Sequence, residues 1–273
     1  MTYVWFFLGA LWYTLGATVI CGTAVSLCRA LFLRMMGRGF GRGVVMATSM
    51  VGTPIHEMGH ALMCILFGHR ITAISLWQPL SDDGNLGYVT HAYKKKNPYH
   101  ILGNLFIAVG PIFSGLAVIT VALRLGFPAA LTEYAAGAGQ LAASGAGGLP
   151  LIREGLGMLP RILDELTDTG RAVPLWGQLL SLTVVLAVSQ HISLSPADLK
   201  GGATALPLYG LLLLILTAVC GLIGPAAMAS VTAALRLFSG YTTALFTVVL
   251  VASLMQLLLA LPVWVIRVLT GRA

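Results

Sequence analysis

The sequence predicts an all-α integral-membrane protein, a polytopic bundle of about six transmembrane helices with a small membrane-associated β-hairpin. Three observations carry this. Of 273 residues 58% are hydrophobic and only 9% are charged, against roughly a quarter charged in a soluble domain, so the chain cannot cover a water-facing surface of its own size. Apolar runs of about 20 residues recur, long enough at about 1.5 Å per residue to cross a hydrocarbon layer of about 30 Å. Between two of them, β-branched and aromatic segments flank a cluster of turn residues. The same composition excludes collagen-like, disordered and disulfide-rich secreted classes.

The first run, 3–32, has no basic region before it and no small-residue cleavage site, and reads as a retained span. Arg29, Arg34, Arg38 and Arg42 cluster about its end; with Lys94, Lys95 and Lys96 they read as membrane-flanking charge facing anionic headgroups. That accounts for a net charge of +7 without nucleic acid as a partner. Residues 44–67 form the second span. Segments 71–77 and 86–93 flank Ser81-Asp82-Asp83-Gly84-Asn85 and predict a β-hairpin lying against the membrane. Residues 101–125 form the third span. In the long connection 127–173, the small residues of 135–148 predict a flexible strip, and 151–166, apolar at helical spacing, an interfacial amphipathic helix that is either a lid or a plain surface linker. Spans at 174–193, 207–234 and 243–266 complete the count. The chain reads as one integral-membrane domain, 1–273, with a core at 44–205 and peripheral helices at 1–43 and 206–273, multi-pass in the cell membrane. Cys21, Cys28, Cys64 and Cys220 lie in apolar runs without CxxC spacing, as small buried hydrophobes.

One motif carries chemistry. The second span contains His56-Glu57-Met58-Gly59-His60. Histidines four apart on a helix share one face about a turn apart, the geometry that two imidazoles need to bind one Zn²⁺. Glu57 beside them can accept a proton from a water that the metal makes acidic and deliver it to a departing amine. In a soluble chain the pattern arises often by chance. Inside an apolar span, two histidines and a glutamate cost several kcal/mol unless they face a polar cavity or bind something, so a metal site is the stronger reading. Gly59 removes a side chain where another backbone can approach the metal helix. Gly110-Pro111 in the third span frees a carbonyl that can face a cavity.

His-Glu-Met-Gly-His in a span, then a hairpin with Gly87-Tyr88-Val89, then Gly110-Pro111 opening the next span, resembles the site-2 protease family of intramembrane zinc metalloproteases. The likeness covers roughly 52–118, and only the histidine motif is sharp. The family takes its third zinc ligand, an aspartate, from a later span, in a pattern like Asn-x-x-Pro followed by Asp-Gly. The nearest match is Gln190 to Gly202, with Asp198 as the ligand; Leu199 replaces the family's glycine, and Gln190 stands about where its asparagine would hold substrate or oxyanion. Ser195-Pro196-Ala197-Asp198 is equally a helix start with a capping box, which would explain Asp198 without a metal. His191 could replace Asp198 or assist the transition state, and Asn104 could hold substrate or bridge helices. His69, His91 and His100 read as interfacial residues. Asp164, Glu165 and Asp168 read as a solvated face that could supply a fallback ligand.

The resemblance implies a zinc metalloendopeptidase that cuts membrane-embedded or membrane-tethered proteins, with His56, His60 and Asp198 holding Zn²⁺ and Glu57 as general base. Its partners would be the lipid bilayer, a membrane protein substrate and a regulatory partner. The alternative is a non-catalytic zinc-binding membrane protein, a pseudoprotease or transporter. The Lys and Arg count on the two faces is close to a tie, so orientation stays open.

Overall fold

In hydrocarbon every backbone N–H and C=O has to be satisfied within the chain, and long helices do this residue by residue. The computed structural model describes residues 2–79, 86–144, 148–170 and 172–270; the expected turn at 81–85 lies outside the described residues. α1 (Thr2–Leu11) passes through a π-helical segment, Trp12–Gly16, into α2 (Ala17–Met36). Gly37, at φ 73°, turns the chain into α3 (Arg38–Leu66), which carries the histidine motif.

α3 stops on Gly68, at φ 68°, a left-handed position that suits glycine. There Gly68 N–H donates to the Ile65 carbonyl and His69 N–H to the Cys64 carbonyl, a Schellman pair that satisfies the helix end and aims the chain into the hairpin. β1 (Arg70–Ser75) and β2 (Tyr88–Ala92) pair antiparallel, with Ile71 opposite His91 and Ile74 opposite Val89, and a register irregularity between Ile71 and Ala73. Trp77 Nε1–H donates to Ser49 Oγ at 2.9 Å and ties the hairpin to α3.

α4 (Pro98–Gly126) starts on Asn97, whose side chain accepts the Tyr99 N–H, with Pro98 in the first turn where no amide is missed. α5 (Pro128–Ala143), α6 (Gly148–Leu156) and α7 (Met158–Thr167) follow. The expected flexible strip is thus helical as far as Ala143. α5 buries Ala130, Tyr134, Ala138 and Ala142 at four-residue steps, and a Cβ at Gly240 would lie 2.9 Å from the Ala142 Cβ. Small residues on a helix face permit close helix contact in apolar surroundings. The single amphipathic helix expected at 151–166 is split at Gly157. Glu165 accepts the Ala130 N–H at the start of α5, and Arg161 bridges Glu133 and Glu154, so these loop carboxylates serve packing.

α8 (Leu175–Ser189) and the short α9 (Pro196–Ala203) precede α10 (Leu206–Ile223) and α11 (Pro225–Leu269). The last two runs divide at Gly224, φ 121°, and Pro225, rather than between 234 and 243, because that backbone suits glycine and proline cannot continue a helix. Among the described residues, four helices are long and apolar enough to cross a membrane: Thr2–Met36, Pro98–Gly126, Leu206–Ile223 and Pro225–Leu269. This is the make-up of a multi-pass helical membrane protein with a two-stranded antiparallel sheet. α8 is apolar but has only 15 residues.

The main core joins Ile112, Leu116 and Ile119 of α4 with Val185 and Val188 of α8 and with Phe246, Val249 and Ala252 of α11. α11 thus supplies part of the main core. A helix apolar on every side fits an interior as well as a lipid face, and composition does not separate the two.

Candidate metal centre

α3 stays helical through the motif, so the His56 and His60 rings meet edge to face one turn apart, with their Nε2 atoms 3.2 Å from each other. A backbone carbonyl holds each ring from behind. His56 Nδ1–H donates to the His191 carbonyl at 2.6 Å, and His60 Nδ1–H to the Ile107 carbonyl at 2.7 Å. Both carbonyls come from breaks in regular structure. Pro111 lies inside α4 and has no N–H to offer the carbonyl four residues back, which is that of Ile107. His191 follows the end of α8, in the irregular stretch before α9.

Close glycines bring these pieces together. A Cβ at Gly59 would lie 2.6 Å from the Gly110 carbonyl and the Pro111 nitrogen, so α3 and α4 meet backbone to backbone as expected from the sequence. A Cβ at Gly52 would lie 2.5 Å from the His191 ring. One at Gly87 would lie 2.9 Å from Glu57 Cγ, where the chain entering β2 closes over the motif.

Asp198 arrives on the first turn of α9. Its Oδ2 accepts the Ser195 N–H at 2.8 Å while Ser195 Oγ accepts the Asp198 N–H at 3.1 Å, completing the capping box. Its Oδ1 lies 3.2 Å from His60 Nε2, and Oδ2 lies 3.9 Å from His56 Nε2. The capping role and the cluster-facing role thus coexist on one carboxylate.

The protonation pattern decides what this cluster can hold. With both Nδ1 protons committed to carbonyls, both Nε2 atoms carry lone pairs, and a carboxylate is acceptor only. Acceptors facing one another away from water are costly unless a proton or a metal cation lies between them. One ligand atom from each of His56, His60 and Asp198 can be chosen so that all lie within 4.8 Å of one another, compatible with the about 3.3 Å between neighbouring ligands of a tetrahedral ion bonded at about 2.0 Å. The three residues could hold a metal ion.

Two cavities flank the cluster. The larger, of 510 Å³, is lined by all three cluster residues together with Arg29, Glu57 and His191. The smaller, of 250 Å³, is lined by His60 and Asp198 with His91, Tyr93 and Asn104. Val89 of β2 lines both. Glu57 is buried on the larger cavity and, among the described residues, makes no hydrogen bond or ion pair.

The other sequence candidates separate. Asn104 Nδ2 donates to Thr204 Oγ1 at 2.9 Å, at the edge of the smaller cavity. His191 sits between the Thr48 and Thr53 hydroxyls, at 3.1 and 3.4 Å, so both ring nitrogens have partners, and its carbonyl orients His56. Gln190 is turned away: its amide donates to Gln256 of α11, and the residue lines neither cavity. Arg29, expected among the headgroup-facing arginines, instead faces the larger cavity. Sequence reasoning missed it, although Val25, Arg29, Phe32 and Met36 fall on one helical face whose apolar members are all buried. Compared with known proteins, the chain matches no family model, no curated protein and no solved structure.

Proposed function

We propose that the protein is an intramembrane zinc metalloendopeptidase of the cell membrane, related to the site-2 proteases, that cuts membrane-embedded or membrane-tethered protein substrates. The observation that carries this is the unpaired Glu57 carboxylate on the same polar cavity as His56, His60 and Asp198, inside an apolar helix bundle. Two imidazoles and one carboxylate make a donor set suited to Zn²⁺ with a position left open, as hydrolysis requires.

Zn²⁺ held there would acidify a water and polarise the carbonyl of the bond to be cut. Glu57 takes the proton from the attacking water on its carboxylate oxygen and passes it to the nitrogen of the leaving amine. The His191 and Ile107 carbonyls fix the tautomer and the ring orientation of the two histidines, which keeps both Nε2 lone pairs pointed inward. A helical substrate hides its carbonyls, so the cut segment has to be unwound. β2, with Val89 on both cavities, offers a strand along which an extended chain can lie.

The test is zinc content together with cleavage of a model membrane peptide, for wild type and for Glu57→Gln. The expected outcome is stoichiometric zinc in both and cleavage only by wild type. Equal behaviour of the two proteins in every assay overturns the enzyme reading in favour of a non-catalytic zinc-binding membrane protein.

A further inference from the structure

Arg29 is a charged side chain in an unusual place. It lies on α2 well before the helix ends at Met36, on the buried face with Val25 and Phe32, and lines the cavity of Glu57, His56 and His191. Its Nε is buried without a hydrogen-bond partner, and among the described residues it forms no ion pair. Its charge lies within electrostatic reach of His56 and His191. A guanidinium withdrawn from water is costly to leave alone, and inside an apolar bundle such a residue is either paired or used.

The cavity itself does not pair it. Asp198 is engaged by Ser195 and faces His60, and Glu57 forms no ion pair with it among the described residues. With a divalent cation in place, the two carboxylates are balanced, and the guanidinium leaves the cavity positive. An incoming anion offsets that charge, and the planar fork of a guanidinium matches a carboxylate through two parallel hydrogen bonds.

We propose that Arg29 is a substrate-binding residue that pairs with a carboxylate of the peptide, supplied by an acidic side chain near the cut bond or by a free C-terminus. This rests on the reading of the cavity as a peptide site and deepens it by naming the substrate class, an otherwise apolar segment that brings a carboxylate. A fully neutral segment leaves Arg29 unpaired and is selected against.

Binding is read on the full-length Glu57→Gln protein in detergent micelles, with four labelled apolar peptides. One has a central Glu and an amidated C-terminus, the second the same Glu with a free C-terminus, the third Gln with a free C-terminus, and the fourth Gln with an amidated C-terminus. At least one carboxylate arm is expected to bind about tenfold more tightly than the neutral peptide, as a charge-assisted pair implies. Which arm does so identifies the source of the carboxylate. Adding Arg29→Gln should erase the preference at unchanged metal content, and adding Arg29→Lys, which keeps the charge without the fork, should weaken it severalfold. Equal binding of all four peptides, binding of none, or a preference that survives Arg29→Gln overturns the proposal. Should Arg29→Gln fail to fold, an unchanged preference in Arg29→Lys overturns it as well. Cleavage is not read here, so failure of the protease reading, seen as uncut peptide with wild type, is a separate result.

Discussion

Two pairs of imidazoles meet nitrogen to nitrogen in this molecule: His56 with His60 on α3, 3.2 Å apart, and His69 with His91 at the base of the hairpin, 3.0 Å apart. At the hairpin, His69 Nε2–H donates to the His100 carbonyl at 2.8 Å, which leaves its Nδ1 as an acceptor. Among the described residues no carbonyl fixes the other nitrogen of His91, so its Nδ1–H can donate to His69, and the pair is satisfied without an ion. Tyr93 and His100 stack on His69, and among the described residues no carboxylate joins them. On α3 both outer nitrogens are spent on carbonyls and Asp198 stands in front. Proximity of histidines does not by itself suit a metal ion; at α3 the carbonyls behind the rings and the carboxylate before them make a group that could hold one.

The largest expected effect separates the pairs outright. His60→Ala should lose stoichiometric metal, whereas His91→Ala should keep it, as read by elemental analysis of purified protein. Asp198→Asn should also lose metal while keeping the α9 cap, since an amide caps a helix well but coordinates zinc poorly. Metal retained at wild-type affinity in Asp198→Asn would remove Asp198 from the ligand set.

Next comes the contact that delivers the Ile107 carbonyl. Gly59→Ala places a methyl group 2.6 Å from the Gly110 backbone, where nothing flexible can yield, and should destabilise the fold by about 2 kcal/mol, visible as a lower Tm. A wild-type Tm would mean that α3 and α4 do not meet this closely.

Pro111→Ala is subtler. It restores an amide to α4, which competes with His60 Nδ1–H for the Ile107 carbonyl and makes the α3 pair more like the hairpin pair. Metal affinity should fall about tenfold with the fold intact, the scale of lost support behind a ligand. Unchanged affinity in a competitive chelator titration would show that the freed carbonyl does not matter.

Much of this was legible in the sequence for local reasons. The histidine spacing, the glycine between them, the Gly-Pro pair and the Ser195 to Asp198 cap each encode a constraint within a few residues, and each is found where the chain chemistry puts it. Arg29, Gln190 and α11 were not legible in the same way. Apolar surroundings on every side of a span hide its rotational phase, so an arginine near a span end reads as headgroup-facing, although here it turns inward. Gln190 lies beside His191 in sequence, yet pairs with Gln256, 66 positions away. The helical nature of α5 was hidden by its glycines, whose low helix propensity in water misleads where alanine, a strong helix former, and close packing decide.

The smallest effect concerns the hairpin pair itself. Burial holds His69 below the ordinary histidine value, against the opposing pull of the His100 carbonyl, and burial followed by the neighbouring His69 does the same to His91. The unfolded state then takes up protons first as the pH falls. The pair's contribution is complete above about 6.5, the ordinary histidine value, and is lost as the pH drops through the lowered folded values. The protection of β1 and β2 against hydrogen exchange, relative to the intrinsic exchange rate at each pH, should fall severalfold on acidification through that window, and His91→Gln should blunt the change; pH-independent protection would contradict this account of the pair.

Zinc-edge X-ray absorption on the zinc-equilibrated full-length protein tests the central claim most directly. The account predicts one ion per chain bound by two imidazole nitrogens and by oxygen donors at about 2.0 Å, with the signal lost in His60→Ala and kept in His91→Ala. A protein that takes up no zinc, or a spectrum with sulfur at about 2.3 Å, would contradict it.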